Sequence, residues 1–167
     1  GMIILVSRPF SRGDYIITPK AEGIVDTIGI IYTILFTPDN KRISIPNGAL
    51  ANDVITNVTA NDIRRIDIQV GVAYNTDIRR AKKLIKEAFD ENGLVLKNNE
   101  ILSYVSELAS SAVILGGRAW CKTEDYWTAR WGIIEEIKVK FDKNGIEIPY
   151  DQLEVHINES KNSLSKK

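Results

Sequence analysis

The apolar residues change their spacing near position 60, and that change limits the chain to two differently built parts. Over residues 12–59 they fall in short runs cut by turn chemistry: Gly13-Asp14, Pro19, Pro38-Asp39-Asn40-Lys41 and Pro46-Asn47-Gly48. Proline fixes φ, and Gly, Asn and Asp accept the backbone angles of tight turns. Residues 15–18 read as a strand, and 42–45 alternate polar and apolar as a half-buried strand does. Residues 24–36 are rich in β-branched side chains, with Gly29 inside as a bulge or sharp bend. Short strands bent around glycines point to a small β-barrel.

From Ile63 onward longer elements appear. Residues 63–72 alternate Ile and Val with Arg, Asp and Gln, giving a strand. Asn75-Thr76-Asp77 supplies helix N-cap chemistry, and Ile78, Ala81, Leu84, Ile85, Ala88 and Phe89 share one helical face. Gly93 is placed to close that helix. Residues 101–108 and 112–121 are two more strands. A second helix starts near Asp125, with Trp127, Trp131, Ile134, Ile137, Lys138 and Phe141 as the stripe that packs on the sheet, and Gly145 ends it. Leu153, Val155 and Ile157 alternate with Glu154 and His156 in a last strand. The order β-α-β-β-α-β is the split βαβ arrangement of ferredoxin-like domains. The fold class expected is therefore α+β.

Chemistry is scarce. The 22 basic residues balance 22 acidic ones, which argues against a general nucleic-acid binder. A single histidine, His156, leaves no histidine-based metal site or paired-His mechanism. The lone Cys121 forms no internal disulfide and reads as packing. Gly116-Gly117-Arg118 lies inside a strand-like run and reads as a bulge, lacking the strand-to-helix setting of a phosphate loop. Arg79, Arg80, Lys82, Lys83 and Lys86 make the first helix basic on its solvated side. No enzyme activity, cofactor or metal is expected. At the N-terminus Ile3-Ile4-Leu5-Val6 is too short to span a bilayer, which takes about 20 residues. Followed by Arg8-Pro9, it reads either as a first β-strand or as the last turn of a membrane helix leaving the lipid.

Four groups of residues, in order, resemble the cytoplasmic region of the small-conductance mechanosensitive channel family (MscS). They are Arg8-Pro9-Phe10 with Gly13 and Tyr15; Ile45-Pro46-Asn47-Gly48; Gly71-Val72-Ala73-Tyr74 with Asp77-Ile78; and Ile148-Pro149-Tyr150 with Gln152 and Val155. The resemblance implies that residues 1–7 end a transmembrane helix and that 8–60 form an Sm-like β domain. Residues 61–151 would then form a ferredoxin-like α/β domain, and 152–167 a C-terminal barrel strand and tail. Pro46, Asn47 and Gly48 would be the signature turn. Ile31, where the family often has an aromatic, and its neighbour Tyr32 would couple to the pore helix. Leu153, Val155 and Ile157 would line an interface between subunits. The implied protein is a homoheptamer in the inner (plasma) membrane, contacting lipid through transmembrane helices outside this chain. It opens under tension to pass ions and small osmolytes in osmotic downshock, with no nucleic-acid partner. The alternative is an RNA-binding module of Sm-like plus ferredoxin-like domains, since both folds occur in RNA binders.

Overall fold

The computed structural model describes residues 9–151. The expected end of a membrane helix at 1–7, and Leu153, Val155, His156 and Ile157 of the expected last strand, lie outside the described residues. The described chain forms two compact units, one of residues 9–64 and 121–126, the other of 65–120 and 127–151.

The first unit holds β1 (Tyr15–Ile17), β2 (Glu22–Ile28), β3 (Tyr32–Phe36), β4 (Arg42–Pro46), helix α1 (Asn47–Asn52) and β5 (Thr56–Asn57). Its sheet order is β4-β3-β2-β1-β5, and the four pairings are antiparallel. The apolar run 24–36 is thus two strands folded back at Gly29, with a bulge between Val25 and Thr27. Asn40, at φ 66°, turns β3 into β4. One apolar cluster fills the unit: Phe10, Ile16, Val25, Leu35 and Leu50 are buried, with Ile28, Ile43, Ile45 and Ile55 packed against them. Asp14 accepts from the Ser11 amide and from Asn57 Nδ2, both at 2.8 Å, tying the first turn to β5. Residues 121–126 return to this unit: the Thr123 amide donates to Asp62 O at 2.8 Å, and the Arg64 guanidinium lies 3.7 Å over the Tyr126 ring.

The second unit holds most of β6 (Ile63–Val72), α2 (Ile78–Glu91), β7 (Leu102–Leu108), most of β8 (Val113–Lys122) and nearly all of α3 (Tyr126–Lys143), which follows a 3₁₀ turn at Thr123–Asp125. The sheet order β6-β8-β7 inserts β8 between two strands that precede it in the chain. Asp77 caps α2, accepting from the amides of Arg79 (2.9 Å) and Arg80 (3.2 Å). The expected face of α2 is the buried one, through Ala81, Leu84, Ile85, Ala88 and Phe89. The helix ends at Asn92 in extended backbone, without a left-handed Gly93. Lys97 Nζ takes over its last carbonyls, donating to Phe89 O (3.0 Å), Asn92 O (3.1 Å) and Asp90 O. Gly145, at φ 65°, follows the end of α3 as expected.

Two further expectations fail in this unit, the first of them in part. Helix α3 buries Ile137 and Phe141 of the expected stripe together with Ala129 and Ile133, while Trp127 is 55% and Trp131 62% exposed and Ile134 and Lys138 are also on the outside. The two stripes share Ile137 and Phe141 and differ only in the first half of the helix, where periodicity alone does not choose between them; the helix approaches through the residues that start at small Ala129. Gly116-Gly117 is no bulge either, because the irregularity sits in β7 between Val105 and Glu107. The glycines make room instead. A Cβ on Gly117 would stand 2.4 Å from the Phe89 ring, and one on Gly116 would stand 2.4 Å from the Tyr104 ring.

Candidate functional site

The β2–β3 connection and the first residue of β3 carry three adjacent exposed apolar side chains. Ile30 is 79%, Ile31 67% and Tyr32 51% exposed. Such a loop ordinarily gains water for its carbonyls and moves freely. Here it is held. The Gly29 amide donates to Tyr32 O at 2.9 Å, closing a turn so tight that a Cβ at Gly29 would meet the same oxygen at 2.9 Å.

The second restraint comes from the first residue of α1, directly after β4. Asn47 is fully buried. Its Nδ2 donates to Gly29 O (2.7 Å) and Ile30 O (3.1 Å), and its backbone amide donates to Ile31 O (2.8 Å). Its Oδ1 accepts from Thr33 Oγ1 at 2.7 Å, and Thr33 is fully buried as well. One residue therefore satisfies three successive loop carbonyls and is itself locked by the following strand. A buried amide must find partners for both ends, and this one finds them in the loop and in the first residues of β3.

Pro46 and Gly48 frame that amide. Pro46 pairs with Tyr32 as the last residue of β4, an edge strand, where a missing N–H costs little. The segment expected to be a turn starts helix α1 at Asn47 instead. Around a Cβ at Gly48 there is open space, so nothing local requires a glycine there. The structure brings Ile31, Tyr32, Pro46 and Asn47 together, residues that sequence alone treats as two separate signals. Thr33 was the partner missed in sequence; a threonine in a β-rich run carries no sign that its hydroxyl faces a buried amide.

Elsewhere the candidates separate. Cys121 is buried, and burial pushes its thiol above the usual range, with the nearby Asp125 carboxylate adding to the effect. Arg118 lies 2.8 Å from Asp67 Oδ1 and is engaged in the sheet. Among the described residues no group of three or more His, Cys, Asp or Glu could hold a metal. No helix among them is long and apolar enough to cross a membrane.

A loop of exposed isoleucines held by the asparagine of Pro46-Asn47-Gly48 coincides with two family matches in consecutive order. Residues 1–60 match the sequence model described as "Mechanosensitive ion channel, beta-domain", and residues 66–148 match "Mechanosensitive ion channel MscS, C-terminal". The chain belongs to the MscS family. Its relatives include the small-conductance mechanosensitive channel of Edwardsiella ictaluri, 33% identical over 157 residues, covering 94% of this chain and 55% of that protein. The channel MscMJ of Methanocaldococcus jannaschii is 33% identical over 163 residues, covering 94% of this chain and 46% of the other. The crystal structure of Helicobacter pylori MscS in its closed state superposes with a TM-score of 0.89 at 32% identity, over 95% of this chain and 63% of that one. Arabidopsis thaliana MSL1, at 24% identity and a TM-score of 0.74, shares the fold. The chain spans about half the length of the curated MscS relatives it matches. The α+β class holds, with antiparallel sheets and a few helices, as in the MscS fold.

Proposed function

We propose that this chain is the cytoplasmic vestibule region of a mechanosensitive channel that opens under membrane tension and releases ions and small osmolytes in osmotic downshock. The observation that carries the reading is the Asn47-held loop. It presents Ile30, Ile31 and Tyr32 to the outside at a fixed backbone geometry, which is what a contact transmitting displacement requires and a solvated loop does not. In this reading Ile31 and Tyr32 bear on the pore helix, and Asn47, between Pro46 and Gly48 at the start of α1, sets their position. The first unit is Sm-like and the second ferredoxin-like, the latter supported by the interleaved β6-β8-β7 order.

The full-length protein would be a homoheptamer of the inner membrane, anchored through helices outside this chain. After α3 the Ala73 amide, just past β6, donates to Glu147 O at 3.2 Å, and residues 146–151 take no strand pairing. Tyr150 is 87% exposed. A chain leaving its own sheet in this way supports placing Leu153, Val155 and Ile157 in a strand shared among subunits. A closed ring of such strands has no free edge.

The test is electrical. Full-length protein carrying this chain, expressed in cells lacking their own mechanosensitive channels, should give suction-activated currents and survival of osmotic downshock. Ile31→Asp should raise the opening pressure while leaving protein in the membrane. Full-length protein that reaches the membrane yet passes no current at any suction short of patch rupture refutes the reading.

A further inference from the structure

The outer face of α3 and the outer face of α2 are opposite in character, and each is incomplete alone. On α3 the Trp127 and Trp131 rings lie 5.7 Å apart and tilted by 32°, both largely exposed, with Ile134 beside them. Glu135, also exposed, forms no ion pair among the described residues. Paired exposed indoles on a rigid helix are unusual on a surface that faces only water, and tryptophan is the residue type most enriched at the centres of protein interfaces.

On α2 the exposed stripe is cationic: Arg79, Lys83 and Lys86 follow one another at helical spacing. Lys83 reaches Glu87 only at 3.8 Å, and Arg79 and Lys86 make no ion pair among the described residues. Both stripes span seven or eight residues, about 10–12 Å of helix. Cations with long methylene stems suit indole faces, through cation–π attraction and stem packing, and the unpaired Glu135 supplies a counter-charge. Within one copy the two stripes cannot meet, because both helices turn these sides outward while Lys140 joins Glu91 across their inner flank at 2.8 Å.

We infer that the Trp131 face of α3 in one copy docks against the Arg79–Lys86 face of α2 in a second copy. The contact is heterologous, so it propagates around a ring rather than closing a twofold pair. The inference rests on the homo-oligomer of the proposed function and names which surfaces meet in it.

The test places p-benzoylphenylalanine at position 131 in the full-length protein, irradiates membranes, and maps the cross-linked peptide by mass spectrometry. Intermolecular products joining position 131 to residues 78–91 are expected. Glu135→Lys and Lys86→Glu should each cut the yield roughly tenfold, the effect of about 1.4 kcal/mol. Combining them should restore it, with circular dichroism of the 167-residue chain unchanged throughout. Absence of intermolecular products, or products that map to any other segment, overturns the inference. Suction-evoked currents on the same membranes read the channel function separately, so currents without this cross-link sink the docking alone, and the cross-link without currents sinks the channel alone.

Discussion

Replacing Asn47 by alanine removes two donors and one acceptor from a fully buried position. The Thr33 hydroxyl, also fully buried, loses its acceptor, and an unsatisfied buried group costs about 1–3 kcal/mol. The Gly29 and Ile30 carbonyls border an exposed loop and can regain water, so each lost bond costs about 0.5–1.5 kcal/mol. Allowing for relaxation, Asn47→Ala should lower the stability of the isolated chain by about 3 kcal/mol in urea melts. The damage should be local in character. Amide hydrogen exchange at residues 30–33 should accelerate more than in β1, where Ile16 lies in the core. Thr33→Val supplies the cross-check: its cost should shrink in the Asn47→Ala background, giving a coupling of about 1 kcal/mol or more. Asn47→Ala within about 0.5 kcal/mol of the parent, or the two substitutions adding without coupling, would mean that the loop is held by its own turn and the asparagine is incidental.

Trp131→Ala should leave the urea midpoint of the isolated chain nearly unchanged at low protein concentration, within about 0.5 kcal/mol, whereas Phe141→Ala on the buried stripe should cost about 3–5 kcal/mol. Removing residues 152–167 should lower the mass seen by light scattering while circular dichroism stays that of the folded chain; loss of the fold would place that strand in its own domain instead. Lys140 is held above the ordinary lysine value of 10.5, chiefly by its hydrogen bond to Glu91. A raised folded pKa means that this contribution is complete below about pH 10.5 and fades as pH climbs through the raised value. Lys140→Met should therefore lose stability at pH 8 and show a smaller further loss than the parent in alkaline melts.

What could be read from sequence divides along physical lines. Helix α2 was legible because its apolar face is unique: Ala81, Leu84, Ile85, Ala88 and Phe89 have no rival stripe, and Asp77 announces the cap. The other long helix has two stripes, and hydrophobicity favoured the tryptophans while packing chose the one beginning at Ala129. Gly116 and Gly117 look like any strand irregularity in one dimension; only the Tyr104 and Phe89 rings pressed against them explain their size. Ile31 and Tyr32 stand out only through the family resemblance, whereas Pro46-Asn47-Gly48 also reads as turn chemistry in its own right. That one amide links them depends on β3 and β4 being neighbours in register, with Tyr32 opposite Pro46, and this is a tertiary fact.

Phe10 sits at the beginning of the described chain and is 2% exposed, wedged in the same cluster as Leu35 and Leu50. No slack separates it from the β core: the Gly13 amide already donates to Val25 O at 2.8 Å, and Asp14 clasps Ser11. Any displacement of Pro9 would therefore be passed directly to the packed side chains around Leu35 and Leu50, with no loop in between to absorb it.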